Sequence, residues 1–340
     1  MPLFEIDPSI NKARTLPSEF YTEARYFDLS KQRIFERSWH FVGHVDEIEA
    51  LKPAFLLPGF LDEPVLLVKR DDEITCLSNV CTHRAKILVE DACKADLIRC
   101  SYHGRRFSLD GRFISMPEFD AVADFPSEAD NLFRLETALR GGFVFAGISP
   151  VADFDNYIND AAADLSDVEP LGLKLTSKRE YEVKAHWALY CENYLEGFHI
   201  PYVHRGLNEI VDYGSYRTDL YRYSSIQTGF SQDGTVAAQY IFIFPNLMFN
   251  IYPWGISVNV VRPVAPDRSI VEFLTYVRDA SLLDKGAGAD LHSVEMEDEA
   301  VVESVQKGVR SRFYTTGRYS PNREQGTHHF HRLIAEFMGE

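Results

Sequence analysis

Two short Cys–His pairs are the residues of this sequence best suited to chemistry. The first reads Cys81-Thr-His83 and the second reads Cys100-Ser-Tyr-His103-Gly104. Together they supply two thiolates and two imidazoles, the donor set of a [2Fe–2S] cluster with two cysteines on one iron and two histidines on the other. Neutral imidazoles reduce the negative charge on such a cluster and raise its potential, to roughly −150 to +300 mV. A cluster of this kind accepts electrons and passes them on.

A structural zinc site is the alternative interpretation of the same four residues. Zinc binds Cys₂His₂ sets, but its usual spacing is roughly two to four residues between the cysteines and three to five between the histidines. Here each cysteine is paired with a histidine, which suits a cluster whose two irons differ. The spacing therefore favours the iron–sulfur cluster over zinc.

A second group of metal-binding residue types surrounds Pro201. Asn193, Glu196 and His199 are spaced three apart, so on a helix they would share one side. His199 and His204 are five apart and would splay on a regular helix. Proline lacks an N–H and biases the preceding residue away from helical geometry, so we expect the helix to end near Pro201. The break would let His204 turn back toward His199.

Two histidines leave a mononuclear metal in need of a carboxylate. Two His and one carboxylate on one face of Fe(II) form the site that activates O₂ in non-heme oxygenases. The acidic segment Glu295-Met-Glu297-Asp298-Glu299 offers several carboxylates, and spacing alone does not choose among them. A His-x₄-His pair is by itself more often an ordinary core or surface pair, and the unused acids are expected on a solvated helix face. The metal interpretation depends on the occurrence of the Cys–His pairs, the histidine pair around Pro201 and the acidic segment together in one chain.

Both groups of residues resemble the motifs of one family, the Rieske non-heme iron oxygenases. The two Cys–His pairs resemble its Rieske domain, and Asn193-Tyr-Leu-Glu196-Gly-Phe-His199-x₄-His204 resembles its iron-binding segment. The third iron ligand of the family lies in a pattern like Glu297-Asp298-x₄-Glu303. The resemblance implies a Rieske [2Fe–2S] cluster and a mononuclear Fe(II). The implied cluster ligands are Cys81, His83, Cys100 and His103, and the implied iron ligands are His199, His204 and Asp298.

The resemblance also implies roles for Glu196 and Asn193 as catalytic residues. In the family, an acidic residue three before the first iron-binding histidine links the two metals across a subunit boundary. Carried over, Glu196 would accept hydrogen bonds from His103 of one subunit and from His199 of the next. This arrangement implies a homotrimer. Glutamate here is typical of a subset that includes enzymes acting on quaternary ammonium compounds.

The sequence departs from the family pattern at two places near the cluster motif. Arg105 and Arg106 follow Gly104, where most members have Trp, and Ala85 replaces a usual Gly. Neither position supplies a ligand, so the cluster is still expected. His186 is interpreted as structural, and His328, His329 and His331 as ordinary surface histidines of a closing helix.

The pattern of expected elements changes along the chain. The segment SEFYTEARYFDLSKQRIFERSW, which starts at Ser18, predicts one capped amphipathic helix. Residues 41–148 contain short β-like runs, with the Cys–His pairs in two of the loops. An acidic stretch at 150–170 marks the expected domain boundary. The later segment predicts a helix at VKAHWALYCENYLEGFH, then strands at 223–230, 236–250, 256–264 and 269–278, then a helix at about 290–313 and a short closing helix.

This order of elements predicts an α+β chain in three parts. An N-terminal helical segment (1–38) is expected to pack on the catalytic domain. Residues 39–150 are expected to form the all-β Rieske domain. Residues 151–340 are expected to form the catalytic mononuclear iron domain, with a helix-grip-like antiparallel sheet flanked by helices.

Composition limits the classes of partner. The chain has 340 residues, 45% hydrophobic and 25% charged, which is typical of a globular protein with ample core. A net charge of −16 argues against nucleic acid and anionic membranes as partners. No signal peptide or membrane span is expected, and the odd count of five cysteines favours free thiols in a reducing cytoplasm.

The predicted function is that of a terminal oxygenase component. Electrons would pass from the cluster to Fe(II), and activated O₂ would hydroxylate or oxidatively demethylate a small organic substrate. The first candidate for this substrate is a quaternary ammonium compound. The alternatives are ring hydroxylation of an aromatic acid and, without catalysis, a Rieske electron carrier with a degenerate second site. Gly286-Ala-Gly288 lacks the third glycine of a dinucleotide loop, so electrons should come from a separate NAD(P)H-dependent reductase, with or without a ferredoxin. Aromatic residues that could surround a pocket are Tyr194, Phe198, Tyr202, Phe249, Tyr252 and Trp254.

Overall fold

A computed structural model describes residues 3–158, 165, 172–283, 285–288 and 291–339. Its chain separates into two compact units. The small unit is Glu36–Val151, and the large unit combines Met1–Phe35 with Ala152–Glu340. Much of the predicted acidic boundary stretch, at 159–164 and 166–170, lies outside the described residues. Within the described part, no helix combines the length and apolar character needed to cross a bilayer.

The small unit consists of β-strands, as predicted. One antiparallel sheet has six strands in the order β1-β9-β8-β4-β3-β2, and a second has three in the order β5-β6-β7. The strands are β1 (Trp39–His44), β2 (Leu51–Leu56), β3 (Glu63–Arg70), β4 (Glu73–Ser78), β5 (Ile98–Arg99), β6 (Arg106–Phe107), β7 (Phe113–Ser115), β8 (Arg134–Arg140) and β9 (Phe143–Gly147). Two single 3₁₀ turns, Val45–Glu47 and Glu128–Asp130, complete the unit.

A two-glycine turn connects β8 to β9. Arg140 pairs with Phe143, which leaves Gly141 and Gly142 as the turn, with φ of 58° and 79°. Two successive positive φ angles match the tight turn that suits the right-handed twist of a hairpin. A Cβ on Gly142 would also collide with the imidazole of His44. Glycine is therefore required here both by backbone conformation and by space.

The large unit is built around a seven-stranded antiparallel sheet in the order β10-β16-β15-β14-β13-β12-β11. Its strands are β10 (Lys174–Val183), β11 (Arg217–Leu220), β12 (Ser224–Phe230), β13 (Val236–Ile243), β14 (Leu247–Tyr252), β15 (Gly255–Ala265) and β16 (Arg268–Val277). The expected single strand at 236–250 is instead two strands of a hairpin, because Pro245 interrupts it. Strands β10 and β11 were not predicted. Both are mostly exposed edge strands without an apolar run.

Eight α-helices are described. They are α1 (Ser18–Thr22), α2 (Ala24–Ser30), α3 (Phe154–Ile158), α4 (Trp187–Tyr194), α5 (Ile200–Val203), α6 (Arg205–Ile210), α7 (Leu291–Gly308) and α8 (Gln325–Gly339). A π-helical turn at Lys31–Phe35 and 3₁₀ turns at Tyr213–Ser215, Ala280–Leu282 and Gly286–Gly288 complete the set. The predicted α+β class with an antiparallel catalytic sheet is confirmed.

The N-terminal segment differs from the single helix that was predicted. It forms α1 and α2, separated at Glu23, whose backbone is extended. Ser18 is the first helical residue rather than the cap. The expected core residues Phe27, Ile34 and Phe35 are nevertheless buried. Apolar spacing therefore predicted which face is buried but not where the helix breaks.

Candidate active site and metal centres

Two loops of the small unit hold the Cys–His pairs with the same backbone hydrogen bonds. The N–H of Ala85 donates to the carbonyl of Cys81 at 3.0 Å, and the N–H of Gly104 donates to that of Cys100 at 3.0 Å. Each cysteine N–H in turn donates to the carbonyl five residues later, at 2.9 and 2.8 Å. The two loops are thus equivalent turns, although their histidines stand at different offsets from the cysteines.

Each of these loops contains one left-handed residue at the equivalent position. Ala85 has φ of 55° and Gly104 has φ of 76°. Glycine adopts this conformation freely, whereas a residue with a Cβ is disfavoured there by roughly 1–2 kcal/mol. The family's usual glycine at position 85 is explained by this φ, and the alanine of this chain is strained.

The thiols and imidazoles of the loops differ in exposure. Cys81 and Cys100 are both 2% exposed and lie next to each other, while His83 and His103 are half-buried with ring centroids 4.8 Å apart. Burial, with the neighbouring Cys100, raises the pKa of Cys81, so an unpaired thiolate is disfavoured there without a metal. Adjacent buried thiols beside adjacent imidazoles fit the mixed donor set of a [2Fe–2S] cluster.

Arg105, at the position of the family's tryptophan, is buried behind the second loop. It is 2% exposed, and its guanidinium lies 2.6 Å from the carboxylate of Asp130. The guanidinium also lies 4.8 Å from the ring centroid of Phe113 and 5.5 Å from that of Phe125. A cation paired with Asp130 therefore lies among aromatic rings at this position.

In the large unit, the segment around Pro201 folds differently from expectation. Helix α4 ends at Tyr194, before Glu196, and Pro201 lies in the first turn of the new helix α5. Proline is tolerated there because the N–H groups of a first turn have no intrahelical partner. His199 and His204 are the N-cap and C-cap of α5. The predicted turn of His204 toward His199 is found, but Pro201 begins a helix rather than ending one.

Two carboxylates orient the two imidazoles. Nδ1 of His199 donates to Oε1 of Glu196 at 2.7 Å, and Nδ1 of His204 donates to Oε2 of Glu297 at 2.7 Å. A histidine whose Nδ1–H is donated in this way presents an unprotonated Nε2 on its other side. Glu196 is held in turn by the backbone N–H groups of Phe198 and His199.

The two Nε2 atoms and one oxygen of Asp298 meet at one point. Nε2 of His199 lies 3.1 Å from Nε2 of His204 and 3.5 Å from Oδ1 of Asp298. Nε2 of His204 lies 3.0 Å from the same oxygen. Donors about 2.1 Å from a divalent metal and at right angles to each other are about 3.0 Å apart. The spacing of His199, His204 and Asp298 fits a single mononuclear ion.

The electrostatics of this point also favour a cation. Burial lowers the pKa of His204, but hydrogen bonds and charges from Asp298 and Glu297 outweigh burial and raise it overall. The Nε2 atoms of His199 and His204 and Oδ1 of Asp298 are all acceptors. They repel each other unless a proton or a metal ion lies between them. A two-histidine, one-carboxylate set is the donor chemistry of non-heme Fe(II).

A cavity of about 100 Å³ adjoins the candidate metal ligands His199, His204 and Asp298. Its sheet wall is one continuous face, because Tyr240 pairs with Asn250 and Asn250 pairs with Ser257 across three strands. Its helix wall includes Asn193 and Glu196, together with His199, His204 and Asp298. The remaining lining residues are Tyr190, Tyr194, Ile200, Leu207, Tyr216, Tyr252, Asn259, Phe273, Ala287, Leu291, Val294 and Glu295.

Five tyrosines line this cavity, and sequence reasoning found only two of them, Tyr194 and Tyr252. Of the other aromatic candidates, Phe198 and Tyr202 are exposed, while Phe249 and Trp254 are buried in the core. The missed tyrosines are Tyr190, Tyr216 and Tyr240. Polar residues at alternate positions of apolar strands, such as Asn250, Ser257 and Asn259, were the signal that could have located the cavity face.

The acidic residues of α7 form the expected solvated face only in part, because Glu297 is exposed whereas Glu299 is buried. Glu295 is buried and accepts a hydrogen bond from the Tyr190 hydroxyl at 2.6 Å. Glu297 orients His204, and Glu303 accepts from the N–H of Lys184 at 3.0 Å. Helix α7 packs its acidic residues against α4 and the site because their partners lie on elements distant in sequence.

The histidines expected to have ordinary structural or surface positions are not all at the surface. His186 is the N-cap of α4 and accepts from the N–H of Ala188, and burial lowers its pKa to about 3. His328 and His331 are buried rather than exposed. His331 lies 2.6 Å from the Tyr319 hydroxyl and 3.1 Å from the carboxylate of Glu192. Hydrogen bonding to distant residues explains why these side chains are buried.

Comparison with known protein families gives two matches within this chain. Residues 172–340 match the family described as ring hydroxylating alpha subunit (catalytic domain). Residues 38–126 match the Rieske [2Fe-2S] domain. The two matched ranges contain the two groups of candidate metal ligands described above.

Similar proteins extend over nearly the whole chain. Choline monooxygenase, chloroplastic, from Arabidopsis thaliana is 32% identical over 97% of this chain and 85% of its own length. The carnitine monooxygenase oxygenase subunit of Escherichia coli (strain K12) is 29% identical over 96% of this chain and 94% of its own.

Solved structures show the same fold. The quaternary ammonium Rieske monooxygenase CntA, in complex with L-carnitine, superposes with a TM-score of 0.80 at 26% identity, over 98% of this chain and 97% of the other. Naphthalene 1,2-dioxygenase from Rhodococcus sp. superposes with a TM-score of 0.76 at 17% identity, over 95% and 94% of the two chains. At 17% identity, the similarity to naphthalene 1,2-dioxygenase supports only a shared fold.

Proposed function

Because the chain belongs to the Rieske non-heme iron oxygenases, we propose that it is the terminal oxygenase component that hydroxylates or oxidatively demethylates a quaternary ammonium compound. Oxygenases of this family carry a Rieske [2Fe–2S] cluster and a mononuclear Fe(II). When bound, the iron activates O₂ with electrons supplied through the cluster. The chain's own residues hold the metals, orient their ligands and shape the substrate cavity.

We assign the ligands from the donor geometry. Cys81 and Cys100 would hold one iron of the cluster, and His83 and His103 the other. His199, His204 and Asp298 would hold the mononuclear iron, with Glu196 and Glu297 keeping both histidines in the tautomer that exposes Nε2. Asn193 lines the cavity beside them and is proposed to contact substrate or O₂.

The charged residues that line the cavity are the observation that supports a quaternary ammonium substrate. Among its described lining residues are three carboxylates, those of Glu196, Glu295 and Asp298, and no lysine or arginine. Tyrosines complete the wall, and desolvation of its hydroxyl raises the pKa of Tyr240 to about 12, so the side chain stays neutral. Aromatic faces and an ionised carboxylate attract a methylated ammonium group, whereas the described lining residues offer no lysine or arginine to pair with the carboxylate of an aromatic acid.

The described tyrosine rings are arranged as a wall rather than scattered. Tyr240 lies edge to face with Tyr194 at 6.3 Å and with Tyr252 at 6.2 Å between ring centroids. The Tyr194 hydroxyl donates to Oδ1 of Asn250 at 2.8 Å, and that of Tyr216 to Oε1 of Gln227 at 3.2 Å. Because the chain itself satisfies these hydroxyls, the ring faces are left to contact an apolar or cationic ligand.

Electron delivery is proposed to cross between subunits of a homotrimer. The Glu196 carboxylate already accepts from His199 within its own chain, and a second hydrogen bond from His103 of the next subunit would complete the link. A related quaternary ammonium monooxygenase is described as showing inter-subunit electron transfer. Enzymes of this family use O₂, a substrate and a reductase. The reductase here is proposed to be a separate NAD(P)H-dependent protein, with or without a ferredoxin.

The cellular compartment is proposed from the thiols. All five cysteines are free in the structure, and Cys76 and Cys191 are buried. Three free thiols besides the proposed cluster ligands Cys81 and Cys100 support the reducing cytoplasm expected from the sequence.

Metal analysis and ligand binding test the proposed function together. The purified protein should contain the two irons of the cluster and one mononuclear iron per chain, whereas an electron carrier would lack the third. In anaerobic thermal-shift measurements, choline and related quaternary ammonium compounds should raise the melting temperature, and benzoate should not. Stabilisation by ring compounds alone would overturn the assigned substrate class.

A further inference from the structure

One buried carboxylate in the cavity wall has no role in holding the metals. Glu295 is 4% exposed and lines the cavity from α7, three residues before Asp298. Its Oε2 accepts from the Tyr190 hydroxyl at 2.6 Å. Its Oε1 is buried and, among the described residues, has no hydrogen-bond partner.

This arrangement is costly unless a ligand completes it. A buried carboxylate with an unsatisfied oxygen loses its hydration without full compensation, and an apolar residue of similar volume would pack there at lower cost. Burial raises the pKa of Glu295 to about 8, as expected for a carboxyl group without a cationic partner in the chain. Near neutral pH the carboxyl group is therefore largely protonated while the cavity is empty. No lysine or arginine among the described lining residues favours its ionised form, whereas a cationic ligand would.

We propose that Glu295 is a specificity-determining residue whose free oxygen pairs with the cationic head group of the substrate. This inference rests on the proposed function. Tyr190 fixes one oxygen of the carboxylate and so orients the other. The tyrosine wall then surrounds the methyl groups, while Glu295 supplies the charge that distinguishes an ammonium ion from a neutral group of the same shape.

The test compares two ligands of nearly equal shape that differ in charge. Choline and 3,3-dimethylbutan-1-ol, its uncharged carbon isostere, would be titrated anaerobically into the iron-loaded protein by calorimetry. The wild type should bind choline at least about tenfold more tightly than the isostere. Glu295→Gln should weaken choline binding by about tenfold or more and leave isostere binding within about twofold.

Two further variants make the outcome decisive. Glu295→Asp keeps the charge and should retain most of the preference for choline. Glu299→Gln alters another largely buried carboxylate one turn along α7 that is not among the cavity-lining residues, and should change neither affinity. Iron content per chain checks that each variant is folded and loaded.

The possible failures point to different errors. Equal weakening of both ligands in Glu295→Gln would mean that Glu295 only supports the packing. No weakening of choline would also overturn the inference, while the proposed function would stand. If the wild type bound neither ligand but bound aromatic acids, the proposed function itself would fail.

Discussion

His199 and His204 lie at the two ends of a single helical turn, with their Nε2 atoms 3.1 Å apart. The four residues of α5 between them set this distance, and carboxylates from two different elements set the ring orientations. Glu196 lies in the loop before α5, whereas Glu297 comes from α7, far along the chain. The proposed metal site is therefore preorganised by the backbone and by hydrogen bonds to both imidazoles.

Removing one orienting carboxylate should weaken iron binding. In Glu297→Ala, His204 loses the acceptor that fixes its tautomer, and we expect about 10–100-fold lower affinity for the mononuclear iron. Iron content after dialysis against a chelator measures this, while the visible absorbance of the cluster should be unchanged. Glu303→Ala is the matched control, because it removes a hydrogen bond on the same helix that does not reach a predicted ligand. Equal iron retention in both variants would contradict the assigned role of Glu297.

Neutralising Glu196 should interrupt electron transfer without loss of metal. Glutamine keeps the shape of the side chain and the possible contact with His199, but it removes the charge proposed to link the two metals. We expect Glu196→Gln to hold three irons per chain and to accept electrons at the cluster. Re-oxidation of the cluster by substrate and O₂ should slow by about 100-fold in single-turnover measurements. Re-oxidation at the wild-type rate would argue against the link.

The strained alanine of the first cluster loop predicts a stabilising substitution. Since Ala85 has φ of 55°, Ala85→Gly should increase the free energy of unfolding of the small unit by about 1 kcal/mol. Gly104→Ala, at the equivalent position of the second loop, should lower it by a similar amount. Urea unfolding, followed by loss of the cluster absorbance, reports on this unit. The same sign of change in both variants would be inconsistent with strain at position 85.

The buried Arg105 depends on Asp130 for its charge balance. Asp130→Asn should cost about 3 kcal/mol, because it leaves a buried guanidinium without its counter-ion. The backbone N–H of Ser127 and the Arg105 guanidinium hold the pKa of Asp130 below its ordinary value. Its contribution to stability is therefore present above the ordinary pKa and is lost as the pH falls through the lower folded-state pKa.

This loss of stability in acid can be tested by measuring the free energy of unfolding from neutral to acidic pH. The stability difference between wild type and Asp130→Asn should be full near neutral pH and should shrink below about pH 4. Asp110→Asn serves as a control, since Asp110 pairs with Arg112 at the surface and should matter by less than about 1 kcal/mol. A difference that persists unchanged into acid would show that the pair does not titrate as described.

The candidate metal ligands that are close in sequence could be predicted from the sequence alone. Residue types and short spacings identified both Cys–His pairs and the His199/His204 pair, because ligands supplied by one loop or one turn are close in sequence. Alternating apolar runs likewise predicted the all-β unit and most strands of the large sheet. The burial of Phe27, Ile34 and Phe35 followed from helical periodicity.

Only the tertiary structure shows which residues from distant parts of the chain lie close together. Spacing could not choose Asp298 among the acids of α7, and only packing of α7 against α4 shows that Glu297 reaches His204 and that Glu295 meets Tyr190. The cavity wall depends on cross-strand register, which pairs Tyr240 with Asn250. Sequence determined which donors are available, because ligand chemistry is a property of residue type. Long-range packing determined which of them converge, because distance between side chains from separate elements is not encoded in local spacing.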